Sequence, residues 1–77
     1  MTPEWIRDPA ATPTPRDIER TAVVLEGQHG RWAAEIADFF AACHEQRGDF
    51  GRCWAWIGVA DLVRERQRSR DVEVGDA

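Results

Sequence analysis

A chain of 77 residues has room for one domain, and a domain of this size buries only about 60% of the surface its unfolded chain exposes, so its stability calls for help from disulfides, a metal or oligomerisation. Fourteen acidic residues stand against ten basic ones, all arginine, and the net charge of −4 argues against non-specific binding to nucleic acid or to an anionic membrane. No run approaches the ~18 apolar residues of a membrane span, and no basic and apolar leader stands at the start, so a cytoplasmic, reduced setting is the expectation.

Residues 1–13 carry Pro3, Pro9 and Pro13, with Pro15 following, and each proline removes a backbone donor and biases its predecessor toward extended geometry. An extended arm is predicted. Trp5 and Ile6 are out of place in such an arm, because a Trp-Ile pair gains only by burial. They are expected to form an interface, by docking on the parent domain, on a second copy or on another protein.

Residues 14–69 read as a three-helix unit. The first predicted helix has Thr14 as N-cap, Pro15 at the first position, where its missing N–H costs nothing, and Asp17 at the third to complement the dipole. Ile18, Ala22 and Leu25 recur at helical spacing, and Gly30 supplies a positive-φ terminus. The second predicted helix, 31–47, carries Trp32, Ile36, Phe39, Phe40 and Cys43 as its apolar face, with Ala33, Ala37 and Ala41 permitting close approach of a neighbour. Gly48 ends it and Asp49 caps the next, so the second and third helices form a tight αα-hairpin.

The stretch DFGRCWAWIGVADLV, 49–63, is apolar over far more than the roughly 100° stripe of a surface helix. With Phe50, Trp54 and Ile57 turned to the core, Trp56, Val59 and Val63 face outward and form the interface of a homodimer. The helix continues into RERQRSR, whose arginines complement the negative end of its dipole. Residues 70–77, an acidic sequence without periodicity, are expected to be a disordered tail.

Chemistry-bearing residues are few. Cys43 and Cys53 lie nearly equidistant from the hairpin turn, with His44 adjacent and His29 one loop away, which allows a metal or thiol site; their spacing matches no usual ligand pattern and both sit on apolar stripes, so core filling is the favoured role. No carboxylate is placed beside a second group that would raise its pKa, and no nucleophile has a visible base, so no catalytic, cofactor or metal residues are assigned and enzymatic activity is not expected. Asp61 falls on the Phe50, Trp54 and Ile57 side of its helix, where a core carboxylate would need a partner.

The order His29-Gly30, an alanine-rich helix, Gly48-Asp49, then Trp56 or Trp54 and Ile57-x-x-Ala60-x-x-Val63 resembles short uncharacterised helical proteins of alphaproteobacteria. The resemblance covers roughly 16–64 and implies a helical fold and no activity. The function read from the sequence is therefore an all-α, self-associating protein-interaction module, a small regulatory or adaptor protein with a protein partner and without nucleic acid, membrane, cofactor or small-molecule substrate. The alternatives are an acidic phage- or plasmid-type inhibitor or antitoxin that covers a basic partner surface, and a metal- or thiol-based site at Cys43 and Cys53.

Overall fold

Capping chemistry divides the chain into helices. Thr14 and Asp17 form a reciprocal capping box: Thr14 Oγ1 accepts from the Asp17 N–H at 3.2 Å, and Asp17 Oδ2 accepts from the Thr14 N–H at 2.9 Å. Those hydrogen bonds to Thr14 hold the Asp17 carboxyl below its ordinary pKa. At the other end of the hairpin turn the Gly48 N–H donates to the Glu45 carbonyl at 3.0 Å and the Asp49 N–H to the His44 carbonyl at 2.9 Å, the paired bonds of a Schellman motif. Gly48 takes the positive φ, 79°, that this motif requires. Asp49 then caps the following helix by accepting from the Arg52 N–H at 3.2 Å.

The computed structural model describes residues 4–7 and 12–75, and it is all-α, with no strand among them. The segments are α1 (Glu4–Arg7), α2 (Pro15–His29), a 3-10 turn (Gly30–Trp32), α3 (Ala33–Gln46) and α4 (Phe50–Gly75). Instead of three separate helices there are two helical runs, 15–46 and 50–75. The first is broken at Gly30, whose φ of 58° lets the chain reverse into α3 with no loop between. Ile18 packs on Gly58, and Glu26 pairs with Arg66 and Arg70, so α2 runs parallel to α4; α3, joined to α4 by the 47–49 turn, runs antiparallel to it.

The core sits where α4 is clasped by the other two. The most extensive contact is α3 on α4, and the side chains α3 buries are all alanines: Ala33, Ala34, Ala37 and Ala41. Facing them α4 buries Cys53, Ala55, Trp56, Val59, Ala60 and Val63.

Three expectations are corrected. Phe50 and Trp54, predicted to face the core, are exposed, and Trp56, Val59 and Val63, predicted to look outward, are buried. The register is set by what continues each stripe: the Trp56, Val59 and Val63 face leads to Arg66, which meets the nearly buried Glu26, whereas the Phe50 and Trp54 face runs into Asp61 and Glu65. The same inversion occurs across the 3-10 turn and α3, where Trp32, Phe39 and Phe40 are exposed and the alanines are in. Second, the arm predicted as extended contains the helical turn α1 with Trp5 buried; Pro3 and Pro9 lie outside the described residues. Third, α4 continues through Gly75 across most of the segment predicted as a tail, giving a 26-residue helix about 39 Å long at 1.5 Å per residue.

Glu26 anchors this C-terminal part of α4 to α2. Its side chain is 8% exposed and accepts from Arg66 Nε at 2.5 Å and from Arg70 Nη2. Burial pushes its pKa up, but the hydrogen bonds from Arg66 and Arg70 outweigh burial and hold it below its ordinary value. A carboxylate depressed in the folded state contributes stability that is complete above the unfolded pKa and is lost as pH falls through the folded one. Glu26→Gln is expected to cost about 1–2 kcal/mol at pH 7 and correspondingly less at pH 3 in urea denaturation, because the arginines remain half-solvated. Equal losses at both pH values would show that the ion pairs do not carry the anchoring.

Candidate interaction surfaces

The structure brings together two of the residues singled out in the sequence, Trp5 and Trp56, although 51 positions separate them. Their ring centroids lie 5.3 Å apart at 50°, and Phe40 also meets Trp56, at 4.7 Å and 37°. Each such pair contributes about 0.5–1.5 kcal/mol beyond its buried area. Trp5 is held by polar contacts as well. Its indole N–H donates to Thr21 Oγ1 at 3.0 Å, and the Thr21 hydroxyl in turn donates to the Asp17 carbonyl at 2.7 Å. Arg52 Nη1 donates to the Trp5 carbonyl at 2.6 Å, with the guanidinium 6.0 Å from the Trp5 ring centroid and its Nε 3.4 Å from Asp49 Oδ2. Asp49 thus starts α4 and aims Arg52 at α1.

Beside this latch lies a cavity of about 510 Å³ between α2 and α3, floored by Trp56 and walled by Leu25 and Phe40. Ile6, the other arm residue expected at an interface, lines it and is partly exposed. Cys43 lines the cavity too, whereas the Cys53 Sγ lies 3.9 Å from Glu45 Oε2. Burial first, and then the nearby Glu45 and Asp49 carboxylates, push the Cys53 thiol's pKa up, which disfavours the thiolate that nucleophilic or metal chemistry needs. Among the described residues no three His, Cys, Asp or Glu side chains converge. His44 Nδ1 is buried 3.7 Å from Asp49 Oδ2, beyond hydrogen-bond reach, and Asp61 is exposed, so its position demands no buried partner.

A second surface is the outer face of the helices. Trp54 is 71% exposed, Phe39 65%, Phe50 60% and Trp32 58%. Phe50 and Trp54 stand four residues apart on α4 and therefore share one face. Reasoning on the sequence placed these rings in the core and missed Thr21 and Arg52 altogether. One signal was available: the Phe50 and Trp54 stripe carries Asp61, which a core stripe would not.

No model of a known protein family matches the chain, and neither does any curated protein or solved structure. No helix among the described residues is long and apolar enough to cross a membrane.

Removing the ring that closes the core should be costly. Trp5→Ala is expected to lower stability by about 3–5 kcal/mol, most of what a small domain has, and to shift the Trp56 and Phe40 resonances. Trp5→Phe, which keeps the stacking and loses the hydrogen bond to Thr21, is expected to cost less. A thermal midpoint unmoved by Trp5→Ala would contradict the latch.

Proposed function

We propose that this protein is a non-enzymatic helical interaction module, a small regulatory or adaptor protein that associates with itself through the outer face of α4. The observation that supports the reading is the exposure of Phe50 and Trp54 on one helix face, with Trp32 and Phe39 also in water, in a chain that has room in its core for other aromatics. Large rings at solvent cost hydration free energy that a contact with another protein recovers, and two-fold dimers are the commonest way for one gene product to do so. The interface first read from the sequence, at Trp56, Val59 and Val63, moves to the opposite side of the same helix, since those three are spent on the monomer core.

Exposed carboxylates on the same outer side, Asp61 and Glu65 among them, support a partner surface that is apolar with a basic rim, in keeping with the acidic-inhibitor alternative. The raised Cys53 thiol weighs against the metal or thiol alternative.

The test is multi-angle light scattering at micromolar concentration on the wild type and on Phe50→Glu with Trp54→Glu. The wild type is expected to be dimeric, and the double variant monomeric with an unchanged helical circular-dichroism spectrum, because both side chains stand in water in the monomer. A monomeric wild type, or a variant that stays dimeric, rules this interface out.

A further inference from the structure

The cavity between α2 and α3 is unlike the rest of the molecule in charge. The chain carries a net charge of −4, yet among the described residues no Asp or Glu lines this space, while both histidines and two of the ten arginines do. Arg52 is engaged by the Trp5 carbonyl and by Asp49, which does not itself line the space and lies 3.7 Å from His44 Nδ1 as well. Arg47, at the C-terminal end of α3, is exposed, and its side chain makes no ion pair with a described residue. Apart from Thr21, Gln28 and Cys43, the remaining lining is aromatic or aliphatic, with Trp56 and Phe40 stacked at 4.7 Å and Leu25 and Val24 from α2.

We infer that this cavity is a binding site for a small amphipathic carboxylate, its apolar chain on Trp56, Phe40 and Leu25 and its acid group at Arg47. The volume of about 510 Å³ lies within the range of small-molecule pockets, about 300–1,000 Å³, and such sites pair an apolar lining with a few polar groups that fix orientation. Along α2 the lining extends from Thr21 to His29, about 12 Å at 1.5 Å per residue, which matches the extended reach of a ten-carbon acid and is too short for several turns of a docked helix. Arginine suits the headgroup because its planar donors meet a carboxylate two at a time. No sequence motif announces the site, since its walls come from four segments, α1 to α4.

The site is tested on the full-length protein by titrating sodium decanoate, below its micellar concentration, against the indole and backbone N–H signals in NMR. Saturable shifts are expected at the Trp5 and Trp56 indoles and at Thr21, Cys43 and Arg47, with those of Trp32 and Trp54 unmoved. The neutral 1-decanol should bind about tenfold more weakly, the scale of one hydrogen bond to a charged group. Arg47→Gln, a change at an exposed position, should bring decanoate down to the level of decanol without altering the fold. Equal affinity for acid and alcohol, shifts confined to Trp32 and Trp54, or indifference to Arg47→Gln would each overturn the assignment. So would cavity signals that move with protein concentration before any ligand is added, which would give the groove to a second copy.

Discussion

The seam between α3 and α4 is lined on the α3 side by alanine, and a seam of methyl groups has room for another helix's backbone and for little else. Ala33, Ala34, Ala37 and Ala41 let α4 lie close, so the bulk that fills the core comes from one partner, through Trp56, Val59 and Val63. The consequences spread outward. The aromatic residues of α3 have no place on the seam and stand at its edge or in water, and the rotation of α4 that brings Val59 and Val63 inward necessarily turns Phe50 and Trp54 out. α2 shares a much less extensive contact with α3 than with α4, and the open side of Trp56 is covered by Trp5 from the N-terminal segment.

Much of this was legible, and the part that was not has a definite cause. Capping is local chemistry: Thr14 with Pro15 and Asp17, and Gly48 followed by Asp49, can be read from three or four residues, and with them the all-helical class and the tight hairpin. Helix orientation is not local. In 49–63 apolar residues cover most of the circumference, so hydropathy alone does not choose between two opposite stripes, and ring size favours the wrong one. The choice is made by the partner helix, whose small residues carry little weight in a hydropathy pattern although they define the contact. The helical turn α1 is further still from legibility, because a four-residue segment between prolines has no helical preference of its own. It is held by Thr21 and Arg52, 16 and 47 positions away.

The latch and the outer face divide the protein's four tryptophans into two functional pairs. Trp5 and Trp56 hold the three helical segments and the N-terminal turn together and wall the cavity, while Trp54 and Trp32 stand largely in water, Trp32 with the Arg31 guanidinium 5.3 Å from its ring centroid. A small domain with limited apolar area gives up stability by leaving two indoles in water, and association is the usual return for it. Phe50 and Trp54 on α4 do not line the cavity, whereas Phe39 of α3 borders it.

The assignment of inner and outer faces underlies all of this, and tryptophan fluorescence reads it directly. In four variants that each keep one tryptophan and replace the others by phenylalanine, measured at a dilution where light scattering shows the monomer, Trp5 and Trp56 should emit at short wavelength and resist acrylamide quenching. Trp32 and Trp54 should emit as in water and quench freely. A shielded Trp54 together with a freely quenched Trp56 would show that α4 is turned the other way and would contradict the account.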